Sequence, residues 1–477
     1  MNDESPSTPK TRVEPRLVVA GFVMIAVLIA ALVGDPTTSS TVVRADRASV
    51  LAPAVVVTGT DIRSTAWYCP IASTSEHIVD DAVVVANLTE RHATVELSAI
   101  AASKIVGRRT VELPGNGTLS IKVSDLAGGR DVGVVVESFG SAIVVEHVGG
   151  DGRSSAATPC ATEPSGTWYF AAGSTRLGTR ERVAVLNPFG QSAVLDIAVV
   201  TSTGSFRPSQ LQGIGVGARS RLVLDVNGAA DLRPIVGLEV TTRGGTRVVA
   251  ELALGSASPT AGVPMSLALG APALASDLHL VDIDGGAGRQ HSVVVFNPGP
   301  SDVVATVQVL ATGTVQVVQR SVTAPAGGIA VFDPATVVGL AQDATVVVRT
   351  RGSGVAVGDL ITSGAGRRGG GGVAVATAAP VAARRWVFAT DQVPGGTKAQ
   401  LAVENPGGSD ADITVRAGFA GVPFSTVVAA GQRRAVTITV NSAPGAIVVT
   451  SSRPVFVSRR IGDRTATSVR TVGVIVR

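Results

Sequence analysis

The sequence is poor in the residues from which catalytic and metal sites are built. Its 477 residues include five His, two Cys and three Met, and only 3% are aromatic and 16% charged. A nucleophile with its base, or a cluster of metal ligands, therefore has few residues to draw on. No GxSxG motif or P-loop motif occurs either. We expect no catalytic residue, no cofactor and no metal ion.

Leu is also scarce for a chain that is 45% hydrophobic, whereas Val, Gly and Thr are abundant. This composition disfavours a helical bundle and predicts β-structure, because β-branched residues fit a pleated sheet. At roughly 100 to 150 residues per domain, the length allows three or four domains.

The sequence contains one long apolar run, at residues 17–33. Lys10, Arg12 and Arg16 precede this run, and the first basic residue after it is Arg44. The positive-inside rule then predicts a cytoplasmic tail (1–16), a transmembrane helix (17–33), an external spacer (34–60) and an extracytoplasmic remainder. A cleaved secretory signal is the alternative, and it would export the same residues.

One unit of about 100 residues occurs four times, at 61–165, 166–270, 271–380 and 381–477. Each unit opens on a segment that we align at Trp67, Trp168, His279 and Trp386. About nineteen residues later, Val-rich runs flank a turn at Asn87, Asn187, Asn297 and Asn405. Asn before Pro is turn chemistry, so we predict that the two runs pair as an antiparallel hairpin. A second hairpin is predicted near the end of each unit.

About seven short strands per unit predict an all-β protein with four tandem immunoglobulin-like β-sandwich repeats. A β-propeller is the alternative, although blades of 40 to 50 residues fit this period poorly. Four such domains in a row would extend on the order of 130 Å. The aligned Trp residues are predicted to fill the cores between the sheets.

Cys69 and Cys160 are the two cysteines, and they lie 91 residues apart in the first unit. In an exported chain we expect them to form a disulfide that joins the first and last strands of that unit.

These motifs resemble the repeat of exported actinobacterial proteins, written roughly as W-Y-F-x-x-G, then N-P-G-x-x-x-A-x-V-x-V, then P-V-V-A-E-R. With its apolar N-terminal run, the chain looks like a membrane-anchored family of unknown function from that group. The resemblance implies export and repeat architecture, and it implies no activity.

Several other residues could in principle form sites, and we interpret them as structural. The densest set of potential ligands has no metal-binding spacing: it comprises Glu76, His77, Asp80, Asp81, His92, Glu146 and His147. The segment 282–285 lacks the later ligands of a calcium loop, and the GxGxG at 213–217 has no helix after it.

Charge is unevenly distributed among the units. Residues 61–165 hold 8 basic and 13 acidic residues, whereas residues 381–477 hold 12 basic and 5 acidic residues. A basic last unit could bind an anionic glycan or an envelope protein, and a merely solubilising role is the alternative. The candidate residues are Arg384, Arg385, Arg433, Arg434, Arg453, Arg459 and Arg460.

The sequence thus favours a non-catalytic scaffold or binding protein of the cell envelope. An enzyme or accessory subunit of envelope polysaccharide assembly is the alternative. Nucleic acid is a poor candidate partner, because the domain is predicted to be exported and lacks aromatic residues for base stacking.

Overall fold

The computed structural model describes residues 56–57, 64–70, 81–128, 131–150, 155–230, 232–256, 266–284, 288–312, 317–338, 343–363, 373–390, 398–418, 421–439, 445–461 and 469–476. All of them belong to one compact unit, Val50–Arg477. The predicted transmembrane helix at 17–33 lies outside the described residues. Within the described ranges, no helix is long and apolar enough to cross a membrane.

The described chain is nearly all β-strand in several separate sheets, as predicted. After a short β1 (Val56–Val57), the first repeat contains β2 (Ser64–Cys69), β3 (Ala82–Asn87), β4 (Ala93–Ile100), β5 (Ile105–Leu113), β6 (Thr118–Lys122), α1 (Val123–Ala127), β7 (Gly133–Phe139), β8 (Ile143–Gly150) and β9 (Ser155–Pro159). The second contains β10 (Thr167–Gly173), β11 (Thr179–Asn187), β12 (Ala193–Thr201), β13 (Gly204–Phe206), a 3-10 turn (Ser209–Leu211), β14 (Ile214–Val216), β15 (Ser220–Asp225), β16 (Val236–Thr242), β17 (Val249–Ser256) and β18 (Ser266–Leu269).

The third repeat follows the element order of the first, and in the fourth one long strand, β32 (Ile447–Ile461), takes the place of two. The third contains β19 (Asp277–Ile283), β20 (Arg289–Asn297), β21 (Val303–Ala311), β22 (Val317–Ala324), β23 (Gly328–Phe332), α2 (Ala335–Val338), β24 (Ala344–Thr350), β25 (Ala356–Ser363) and β26 (Val373–Thr377). The fourth contains β27 (Ala383–Phe388), β28 (Lys398–Glu404), β29 (Ala411–Ala417), β30 (Phe424–Val428), β31 (Arg433–Thr439), β32 (Ile447–Ile461), β33 (Val469–Val472) and β34 (Val474–Val476).

Each repeat has a first sheet and a second sheet. In the first repeat, the first sheet has the order β2-β7-β4-β5 and the second has the order β6-β3-β8-β9. In the fourth repeat, β32 crosses from one sheet to the other and joins them. The two-sheet repeat is as predicted, but the strand order differs from the ABED and CFG sheets of an immunoglobulin domain.

The two predicted hairpins are wrong. The strands on either side of the turn Asn, β3 and β4, lie in different sheets, and so do β7 and β8. Consecutive strands pair instead as β4 with β5 and β8 with β9. The Val-rich strands are buried on both faces. Their apolar pattern therefore does not show which strand lies beside them.

The turn Asn fixes each crossing between the sheets. The Asn187 side-chain amide donates to the backbone oxygens of Gln191 and Gly217, both at 2.7 Å, and its Oδ1 accepts from the Phe189 N–H at 3.1 Å. Asn87, Asn297 and Asn405 make the same set of bonds. A fully buried amide is satisfied in this way, which explains why this residue recurs at the turn.

Trp67, Trp168 and Trp386 fill the cores of their repeats, and each is at most 1% exposed. In the third repeat this place belongs to Leu278, which pairs with Val348 as the other three pair with Val136, Val240 and Val449. The alignment of His279 with the Trp residues is therefore wrong by one position. Because adjacent strand residues face opposite ways, His279 points out of its own core.

The repeats contact one another in a cycle and not in the expected row. The last strands meet: β9 contacts β18 and β33, and β26 contacts β18 and β33. One hydrophobic cluster contains core residues of both the first and the fourth repeats. β1 pairs in parallel with β34, so the start and the end of this unit lie side by side in one sheet.

The predicted disulfide is confirmed. Cys69 at the end of β2 and Cys160 after β9 are bonded, and they link the first and last strands of the first repeat.

Replacing both cysteines by Ala should lower the free energy of unfolding by about 4 to 5 kcal/mol, because the unfolded chain regains the freedom of a 91-residue loop. Urea unfolding followed by circular dichroism would measure the loss. Reducing the disulfide of the unaltered protein should lower its urea midpoint by about as much as the double replacement does. An unchanged midpoint in both samples would contradict the prediction.

Candidate functional site

The structure separates the seven candidate arginines into two groups. Arg384, Arg434 and Arg453 are exposed and Arg385 is partly buried. Arg433, Arg459 and Arg460 are buried, at 5%, 0% and 8% exposure. These three contact carboxylates of other repeats and are therefore not available at the surface of the described unit.

Arg459 joins the fourth repeat to the first. Its two terminal nitrogens lie 3.1 and 3.3 Å from the two carboxylate oxygens of Glu146, and both side chains are fully buried. The guanidinium also donates to the Thr390 carbonyl and lies 4.8 Å from the centre of the Phe388 ring. Burial raises the pKa of Glu146, and the charge of Arg459 opposes that rise. The pair is bidentate and shielded from water, so each charge depends on the other.

Arg433 and Arg460 join the fourth repeat to the third. Arg433 lies 3.2 Å from Asp282 and donates to the Val281 carbonyl at 2.9 Å. Arg460 lies 3.0 Å from Asp284 and 2.8 Å from Asp343. Asp282 and Asp284, which lie in the segment 282–285, therefore form ion pairs with arginines and do not stand free to bind a metal ion.

His279 belongs to the same joint. Its Nδ1 lies 2.8 Å from Glu404 Oε1, its Nε2 lies 3.1 Å from Asp277, and its ring stacks on Phe456 at 3.9 Å. Burial lowers the pKa of this imidazole, but the hydrogen bonds to Asp277 and Glu404 outweigh it and raise the pKa overall. The charged form of His279 therefore stabilises the contact between repeats three and four.

One pair of register positions recurs at the joints. The third residue before each turn Asn pairs with Glu146, Glu251, Gly358 or Ser458, and the fourth pairs with His147, Leu252, Asp359 or Arg459. Across the joint between repeats four and one, Arg459 meets Glu146. Across the next joint, His147 Nδ1 lies 4.0 Å from Glu251. At each of these two joints, a basic residue of one repeat therefore faces an acidic residue of the next.

A second recurring position lies six residues before the turn Asn and holds Asp81, Glu181, His291 or Ala399. Asp81 lies 2.6 Å from His147, and His291 lies 2.6 Å from Asp359. In the first repeat the acidic residue lies before the turn Asn and the His lies on the later strand. In the third repeat the two residue types are exchanged. Aligning the four units at the turn Asn would have revealed this pairing from the sequence.

Glu181 has no such partner, because Leu252 stands where His147 or Asp359 stands in the other repeats. Its carboxyl group is fully buried against the backbone of Gly173. Burial raises the pKa of Glu181 to about 8, and a backbone hydrogen bond from Ser174 lowers it only in part. The group is therefore protonated at neutral pH.

The remaining candidates are scattered. His92 is exposed at a turn, and Gly213, Gly215 and Gly217 lie at and beside the short strand β14. Glu76, His77, Asp80 and Gly285 lie outside the described residues. In the part of the chain that the structure describes, no three His, Cys, Asp or Glu residues are grouped as metal ligands.

A cavity of about 70 Å³ lies where the four last strands meet. It is lined by residues of all four repeats, among them Thr158, Leu267, His279, Asp359 and Ser458. Ligand pockets commonly measure 300 to 1,000 Å³, so this cavity has room for a few water molecules and not for a sugar.

Residues 135–274 match the model of a family of unknown function, DUF5719. This match covers the end of the first repeat and the second repeat, well under half of the chain. No curated protein matches the chain. A solved structure described as a tetra-tandem repeat in the extending region of a large adhesion protein is 11% identical, covers 86% of this chain and 98% of its own, and has a TM-score of 0.11. A score this low carries no argument about the fold.

Arg459→Met should destabilise the protein by about 3 to 5 kcal/mol, because it leaves Glu146 buried without a counter-charge. The double variant with Glu146→Leu should recover much of that loss. Urea unfolding of the single and double variants forms the thermodynamic cycle. Additive losses in the double variant would show that the two side chains are not coupled.

Glu181→Gln should stabilise the protein at high pH and have little effect at low pH. With a folded pKa of about 8 and an unfolded value near 4.5, folding takes up a proton between these two values. Stability is therefore fully present below pH 4.5 and falls as pH rises to about 8. The amide removes this penalty, which is on the order of a few kcal/mol. Thermal unfolding at pH 4 and pH 9 would measure it, and equal shifts at both pH values would contradict the assignment.

Proposed function

We propose that this chain is a non-catalytic, single-pass protein of the cell envelope. Its N-terminus is cytoplasmic and its β-sandwich repeats lie outside the membrane, where they act as a scaffold or binding module. The partner is an anionic glycan or an envelope protein.

The observation that carries the proposal is that buried ionisable groups pair with one another between repeats. Arg459 with Glu146, Arg460 with Asp284, and His279 with Glu404 each join two repeats. The interior polar groups of these joints serve assembly. What remains for a partner is the surface that the assembled repeats expose.

The charge of that surface favours an anionic partner. After three arginines are buried, the fourth repeat still exposes Arg384, Arg416, Arg434 and Arg453. Such a surface attracts polyanions in a salt-dependent way without requiring a pocket.

The disulfide supports export. A bond between Cys69 and Cys160 is stable in an oxidising compartment and is rare in the cytosol of most bacteria. The apolar run at 17–33, preceded by basic residues, supplies the segment that would direct export and anchor the chain.

The full chain in a non-ionic detergent should co-sediment with purified actinobacterial cell walls at low salt and be released at high salt. Replacing Arg384, Arg434 and Arg453 together by Gln should reduce the bound fraction several-fold, because it removes three exposed positive charges from the fourth repeat.

The matched control replaces Arg176, Arg207 and Arg219 of the second repeat by Gln, which changes the net charge equally. Equal losses in the two triple variants would indicate attraction by net charge alone. Absence of sedimentation at low salt would overturn the binding role.

A further inference from the structure

One row of residues crosses the first sheet of every repeat at the same register. It starts one residue before the Trp or Leu that fills the core, so its side chains face away from that core. The rows are Ala66–Glu137–Glu96–Thr110, Thr167–Thr241–Asp196, Asp277–Arg349–Thr306–Ser321 and Arg385–Thr450–Thr414–Ser425.

In the first three repeats, a carboxylate of this row pairs with an arginine of the same repeat. Glu96 lies 3.7 Å from Arg108. Asp196 binds Arg243 through two bonds of 2.7 Å. Asp277 lies 3.1 Å from Arg349. Each repeat thus neutralises its own arginine on this face.

The fourth repeat lacks that carboxylate. Arg385 stands where Asp277 stands in the third repeat, and its cross-strand neighbours Thr450, Thr414 and Ser425 carry only hydroxyl groups. The Arg385 Nε atom is buried and has no hydrogen-bond partner among the described residues. Burial lowers the pKa of this guanidinium, and no carboxylate in the described ranges opposes the effect.

The neighbouring strand adds one charge of each sign. Along β29, Arg416 and Asp412 lie two residues on either side of Thr414, and both are exposed. They share the outward face with Thr414, because residues two apart lie on the same side of a strand. An anion centred on Arg385 and Thr414 could therefore also reach Arg416.

A half-buried guanidinium without a counter-charge has lost hydration that nothing in the described protein replaces. A phosphate group would supply the missing negative charge and hydrogen-bond acceptors. Its oxygens match the planar fork of Arg and accept hydrogen bonds from hydroxyl groups. A carboxylate polymer offers fewer acceptor oxygens per group for the hydroxyls of this row.

We propose that the row Arg385–Thr450–Thr414–Ser425, together with Arg416, binds the phosphate groups of an anionic envelope polymer. This inference rests on the proposed function and assigns its ligand chemistry and its site.

Titration calorimetry of the full chain in non-ionic detergent with inorganic polyphosphate tests the site. Arg385→Gln should weaken binding about tenfold, because it removes a charge-assisted pair of hydrogen bonds. Thr414→Glu should weaken it at least as much while keeping Arg385, since it restores the acidic residue that Glu96 supplies in the first repeat.

Arg349→Gln is the matched control, because Arg349 lies in the same row of the third repeat and already has Asp277 as its partner. It should leave polyphosphate binding within about twofold of the unaltered chain. Unchanged melting temperatures would show that the variants are folded.

Equal affinity of the Arg385→Gln variant and the unaltered chain would overturn the site. Stronger binding of polygalacturonate than of polyphosphate would overturn the phosphate assignment. Wall sedimentation that persists in Arg385→Gln would leave the proposed function standing without this site. Failure of the unaltered chain to sediment with cell walls would overturn the proposed function. The calorimetry would then still show whether the site binds phosphate.

Discussion

The buried pair of Arg459 and Glu146 is the interaction on which the arrangement of the repeats depends. Both side chains are withdrawn from water once the repeats are assembled, so each charge then needs the other. The assembled unit can keep a charged Glu146 in its interior only with Arg459 of the fourth repeat beside it. This requirement, together with the β1–β34 pairing, closes the cycle of contacts between the repeats.

Two of the other joints vary the same device. Position for position, Glu251 corresponds to Glu146, and it faces His147 of the preceding repeat where Glu146 faces Arg459. Between repeats three and four the joint is richer, with two arginines, three aspartates and His279 with Glu404. Four copies of one sandwich thus present different charges to their neighbours, which specifies which repeats can meet.

The turn Asn, the core Trp residues, the disulfide and the all-β class could be predicted from the sequence because each depends on local chemistry. The pairing of β3 and β4 could not, since a Val-rich strand buried on both faces leaves its neighbour undetermined. His279 was placed one position off because only its register with Val347 distinguishes it from Leu278. Arg433, Arg459 and Arg460 could not be told from surface arginines, because their partners lie in distant parts of the chain.

The closure between the first and last repeats also sets an order on folding. Synthesis delivers the first repeat before Arg459 exists, so until then Glu146 must stay protonated or hydrated. The complete interior can form only after the final strands have emerged. A chain interrupted before residue 459 would retain Glu146 without its counter-charge, so the joint between its first and last parts could not close.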